Sequence, residues 1–320
     1  MRPKAVLVLW ATASCGPDAS RIAAKVGDHE LSSERLAELM VLAQPVPLTT
    51  EVAEELADHW VRLMVFAERM ARGDSMLDSV TIREVMWLPV RAEIVRQWRD
   101  RLLERAGVGA DDGSVARFDS THGVELLRAR GVRLRQGATA TVREIAADPW
   151  RWRPGSPLAA FSGGSVAADA VARHLQYLST ATRREITAAT DQRIVEFVLG
   201  LVVQEILVAQ AESAGVQPSD SAMRVIAGQS RDAVHRLWNV TGLAPSSLLA
   251  EGSSESERRR LAARRVGAYL DAAAARRLPL EPVPAFLAVP LLRRAQWAIV
   301  PAGVEAAVHQ ARRLVSAAGQ

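Results

Sequence analysis

Thr50–Gly73, TEVAEELADHWVRLMVFAERMARG, decides the fold class. Val52, Leu56, Trp60, Leu63, Ala67 and Met70 recur at the three- and four-residue spacing that gathers apolar groups on one helix face. Gly73 supplies the residue type at which helices commonly stop. Upstream, Val26-Gly27-Asp28-His29-Glu30-Leu31 sets a turn dipeptide between apolar residues. Ser32 or Ser33 then caps a helix through Leu36, Leu39 and Met40, which Pro45 and Pro47 end. Downstream, Ile82, Val85, Met86, Val90, Ile94, Trp98 and Leu102 predict a third helix over 80–106, kinked at Pro89. Three successive helices with no strand run between them predict an all-α fold.

Beyond Phe161 the opening pattern returns. Ser162 to Val171 repeats the turn, apolar residue, small polar pair, acid and helix start of Gly27 to Leu36. Val65 to Gly73 likewise matches Leu207 to Gly215 position by position, so two copies of a helical-hairpin module are the simplest account. Further helices are expected from Asp191 to Ala214, from Ser219 or Asp220 to about Asn239, and from a cap at Ser253 or Ser254 to Arg277. Two short helices, Phe286 to Trp297 and Gly303 to Ala317, close the chain. The expected layout is a signal segment over 1–14, a tether over 15–24, an N-terminal module over 25–106, an irregular connector over 107–160 with short helices at Val124–Leu127 and Val142–Ala146 and a candidate strand at Val132–Leu134, a second module over 161–250 and C-terminal helices over 251–320.

Of the 320 residues, 49% are apolar and 24% charged, which is globular composition. Lys4 and Lys25 are the only lysines among the 40 basic residues, so unless Lys25 serves, a phosphate-cradling P-loop has no lysine after its glycines and ATP-driven work by the Walker mechanism is not expected. The formal net charge is +4, and the arginines lie near Glu and Asp, which reads as solvated helix faces and not as a nucleic-acid site. Ile194–Ala211 is apolar enough to raise a membrane span. Glu196, Gln204 and Glu205 favour a helix buried in protein, because a carboxylate near the bilayer centre costs about 2.5–3.5 kcal/mol.

The N-terminus has the order of an export signal: Arg2 and Lys4, an apolar run from Ala5 to Ala11, and a small-residue exit through Thr12, Ala13 and Ser14 to Cys15. It resembles a bacterial lipoprotein signal, which implies acylation of Cys15 and a chain anchored at the periplasmic face of a membrane. Cleavage around Ala11-Thr12-Ala13 without a lipid and a cytosolic start are the alternatives. With Cys15 alone, an intramolecular disulfide and a multi-thiolate metal site are excluded.

Lys25 to Leu31, Gln204 to Ala211 and Gly215 to Asp220 together resemble the chaperone domains of the SurA, PrsA and PpiD type of periplasmic foldase. The likeness covers about 24–103 and 161–243. It implies a holding activity toward unfolded exported polypeptides. Such foldases usually carry a parvulin prolyl isomerase domain, for which 107–157 is too short; His122-Gly123-Val124 and Phe161 to Gly164 lack the family's continuation.

No catalytic constellation is visible. His29, His59, His122, His174, His235 and His309 are dispersed, no nucleophile elbow exists, and Asp111-Asp112 reads as a solvated turn and not a cation site. No catalytic residue, metal ligand or cofactor is therefore assigned. The candidate client-binding surface is apolar and adaptable: Trp60, Met64, Phe66, Met86, Trp87 and Trp98. The leading expectation is an ATP-independent holdase for unfolded exported or outer-membrane proteins, with no nucleic-acid partner. The alternatives are a prolyl isomerase with a degenerate parvulin domain and a lipid-tethered interaction scaffold.

Overall fold

The computed structural model describes residues 20–318 apart from 110, 153, 154 and 156. Cys15 and the expected signal segment lie outside the described residues. In chain order the elements begin with β1 (Ile22–Val26), β2 (His29–Ser32), α1 (Ser33–Leu42), α2 (Thr50–Ala71), α3 (Ser79–Val85), α4 (Trp87–Arg105) and α5 (Asp112–Ala129). They continue with β3 (Arg133–Leu134), α6 (Ala138–Ala147), β4 (Pro157–Phe161), β5 (Gly164–Ala167), α7 (Ala168–Leu175), α8 (Thr180–Ala188) and α9 (Asp191–Ser213). Last come α10 (Asp220–Thr241), α11 (Pro245–Glu251), α12 (Glu255–Ala274), α13 (Ala285–Leu292), β6 (Trp297–Ile299) and α14 (Pro301–Ala318).

The chain divides into two compact units, each drawn from separated segments: residues up to Arg72 with Ser246–Pro282 and Ala295 onward, and Gly73–Pro245 with Val283–Arg294. The fold is mostly helical, but the all-α expectation is corrected, because each unit holds a three-stranded antiparallel sheet, ordered β2-β1-β6 and β3-β4-β5. These strands have two to five residues each, too few to show an alternation against the helix starts beside them.

Each sheet contains a hairpin. Gly27-Asp28 turns β1 into β2 with Val26 opposite His29, and Ser162-Gly163 turns β4 into β5 with Phe161 opposite Gly164. Each turn uses a glycine at positive φ, +53° at Gly27 and +97° at Gly163, as two-residue hairpin loops require. Each hairpin runs directly into a helix, α1 or α7. In both sheets the third strand pairs with the first hairpin strand: β6 with β1 and β3 with β4. The tether expected over 15–24 thus overlaps a sheet strand, since β1 begins at Ile22.

In the first unit, Thr49 caps α2 by accepting from the Val52 amide, and α1, α12 and α14 pack against it. Ser254 and Glu257 form a reciprocal capping box at the start of α12.

In the second unit, the expected kinked helix over 80–106 is two helices. Met86 leaves helical geometry (φ −90°, ψ 20°), and α4 restarts at Trp87. Pro89 then falls in the first turn of α4, where its missing N–H has no intrahelical partner to lose. The connector is corrected in its extent of order: 107–160 contains longer helices than expected, α5 and α6, with β3 at the candidate strand and most of β4, and it contributes Leu126, Val142, Ile145 and Leu158 to a core shared with Val166, Val171, Leu175, Ile194, Val198 and Val202. Asp111 caps α5 by accepting from the Ser114 amide. α9 is long and apolar enough to cross a membrane, at mean hydropathy 1.9, and it buries Ile194, Val198, Leu201, Val202 and Ile206 in this unit.

Candidate functional site

Five of the six apolar residues proposed from sequence are core residues. Trp60, Met64 and Phe66 lie on α2 inside the first unit, Trp60 at 7% exposure and Phe66 at none. Met86 is buried at the break between α3 and α4. Trp98 packs in a small cluster with Ala211 and Val216, donates from Nε1 to Gln210 Oε1 at 3.1 Å, and lies under the Arg105 guanidinium at 5.5 Å. The open cradle expected of these five is therefore corrected to interior packing. C-terminal helices α12 and α14 return to pack on α2, and α9 packs on α4.

Trp87 has a different environment. As the first residue of α4 it is half-buried and borders an open cleft of about 270 Å³ within the second unit. Its ring is the centre of a cationic and aromatic group. The Arg173 guanidinium lies 5.1 Å from the ring centroid and that of Arg91 lies at 5.8 Å. His174 approaches edge-on at 5.8 Å, and Tyr177 is tilted at 6.4 Å.

Three helices and their ends supply the other walls. Arg83 and Glu84 come from α3, Arg173 and Tyr177 from α7 and the turn after it, and Pro290, Arg293 and Arg294 from the end of α13. Gln176 fixes one side. Its buried amide donates to the Pro149 carbonyl at 2.8 Å, while its oxygen accepts from Arg293 Nε at 2.8 Å. Arg294 pairs with Glu84 at 2.5 Å.

Electrostatics follows from this crowding of like charge. Burial and then repulsion from Arg173 lower the Arg293 pKa, with Tyr177 opposing. Burial raises the Tyr177 phenol despite the pull of Arg293 and Arg173. Such shifts mark a site that favours an incoming anion.

A second depression of about 520 Å³ lies between α4 and α10. Its apolar lining comes from Pro89 and Ala92 on one side and Ala222, Val225 and Ile226 on the other, with Glu93, Arg96 and Gln229 among the polar groups around it. Val225 is 60% exposed there, and Val80 on the neighbouring α3 is 76% exposed. Among the described residues, no group of three or more His, Asp or Glu could hold a metal ion.

Sequence reasoning missed Arg83, Arg173, Tyr177 and Arg293, which separate stretches bring together. One signal was present: Arg293-Arg294 sits in a run, Pro282 to Val304, that contains no acidic residue to neutralise it. Compared with protein-family models, curated proteins and solved structures, the chain matches none.

Proposed function

We propose that this chain is an ATP-independent holdase, anchored through a lipid on Cys15 at the periplasmic face of a bacterial membrane, that binds unfolded exported polypeptides. The observation that carries the reading is the open α4–α10 groove with Val225 exposed on its wall, since an unfolded chain offers apolar side chains to such a surface. The two hairpin–helix repeats support it through the likeness to foldase chaperone domains. Burial contributes about 25 cal/mol per Å² of apolar area, offset by ordering of the client, so binding stays modest and release needs no nucleotide.

The test is suppression of aggregation of an unfolded outer-membrane protein, followed by light scattering. Suppression at a few-fold excess is the expected result, and Val225→Glu, which charges an exposed position, should abolish most of it without lowering thermal stability. An absence of suppression by the unmodified chain would overturn the proposal.

A further inference from the structure

The Trp87 cleft brings four arginines, Arg83, Arg173, Arg293 and Arg294, into one small space. Some arginines outside the cleft meet carboxylates across elements, as Arg91 does with Glu205 and Arg143 with Asp191. Four arginines and one carboxylate line the cleft, so 4 − 1 leaves three positive charges, against +4 for the whole chain. Glu84 is engaged by Arg294. Among the described residues, no carboxylate lies within ion-pair distance of Arg83, Arg173 or Arg293.

Desolvated or crowded guanidinium groups without counter-ions are stabilised by an anion that accepts from their N–H forks. The dimensions narrow the choice. At about 270 Å³ the cleft lies just under the 300–1,000 Å³ typical of small-molecule sites, which suits one side chain presented by a larger molecule. Trp87, Tyr177 and Pro290 add apolar walls beside the charges. That combination favours a carboxylate carried on carbon, with an apolar neighbour to stack, over a bare phosphate.

We infer that the Trp87 cleft is a carboxylate-recognition site, which selects segments of an extended polypeptide where an acidic side chain adjoins an aromatic or aliphatic one. This rests on the polypeptide-binding reading and supplies its selectivity. Arg173 and Arg83 hold the carboxylate, Arg293 is presented to it by Gln176, and Trp87 receives the neighbouring apolar group.

The test is calorimetric titration of the full chain with two acetylated, amidated peptides that differ only by Phe-Glu against Phe-Gln. The Glu peptide should bind about tenfold more tightly at low salt, and added salt should erase the difference. An R83Q/R173Q variant should bind both peptides equally at an unchanged melting temperature. Should the double change lower the melting temperature, R83Q alone, at an exposed position, should still reduce the preference. Equal binding of the two peptides by the unmodified chain overturns the carboxylate site and leaves polypeptide binding in place. Binding of neither peptide, with inorganic phosphate or phosphatidylglycerol vesicles bound instead, overturns the carboxylate site, and with aggregation suppression also absent it overturns both. Binding of neither peptide with aggregation still suppressed overturns only the carboxylate site.

Discussion

Arg259 on α12 donates from Nε to both carboxylate oxygens of Glu68 on α2, at 2.9 and 2.8 Å. His29 at the start of β2 meets the same carboxylate at 3.0 Å, so one acidic side chain ties the hairpin and two helices of the first unit together. Burial alone would raise the Glu68 pKa, but the hydrogen bonds from His29 and Arg259 outweigh it and hold the group below its usual 4.5. Glu68→Gln should cost about 1–3 kcal/mol at neutral pH, because it leaves the partly buried Arg259 guanidinium with only the more distant Asp28 carboxylate at 3.9 Å. The folded pKa is the lower one, so the contribution is complete above about pH 4.5 and is lost as pH falls through the folded value. Urea unfolding at pH 7 and pH 3.5 should therefore show a smaller acid loss in Glu68→Gln than in the unmodified chain.

His59 provides a second acid sensitivity in the same unit. Burial pushes its pKa down to about 4, with Asp58 opposing and Arg62 reinforcing the shift, and Nε2 has no hydrogen-bond partner. The unfolded chain binds this proton near pH 6.5 while the folded chain does not, so stability falls as pH drops from 6.5 toward 4, by about 3 kcal/mol at the lower end. His59→Phe keeps an aromatic ring in the site and removes the proton. Its stability should fall by about 3 kcal/mol less than that of the unmodified chain across that window, as measured by urea midpoints at half-unit pH steps.

Local rules made the helices readable. The stripe from Val52 to Met70 and the cap at Thr49 define α2, and Ser254 with Glu257 defines the start of α12, because each signal lies within four residues of what it specifies. Apart from β3 the strands were not readable, since β1 becomes a central strand only when β6 arrives beside it from near the other end of the chain. The break at Met86 was hidden because apolar residues keep helical spacing through it. For the site, Trp87 was legible as a large aromatic, but its difference from Trp98 was not. Trp98 faces Gln210 and Ala211 on α9, whereas the Trp87 ring meets Arg173 from α7 as well as Arg91 of its own helix, and both outcomes depend on distant contacts.

The reassignment of Trp98 to the core leads to its own prediction. Trp98→Ala removes a buried indole and leaves Gln210 without its donor, so it should cost about 3–5 kcal/mol in unfolding free energy. Aggregation suppression per folded molecule should remain unchanged at a temperature where the variant is still native. A stable Trp98→Ala protein with weakened client binding would return Trp98 to the binding surface.

Backbone approach gives the sharpest contrast. Gly303 opens α14 against β1, and a Cβ there would come within 1.9 Å of the Ile22 carbonyl oxygen, a backbone atom that hydrogen-bonded strands hold in place. Gly303→Ala must push α14 away from the sheet and should cost about 3 kcal/mol, at the upper end of overpacking penalties. Gly200, in the middle of α9, has nothing within 4 Å of the same added atom and has ordinary helical geometry. Gly200→Ala should instead stabilise by about 0.5–1 kcal/mol, through reduced freedom of the unfolded chain and better helix propensity. The pair of melting temperatures should therefore move in opposite directions for the same chemical change. A Gly303→Ala protein as stable as the unmodified chain would mean that α14 does not sit on β1 as described.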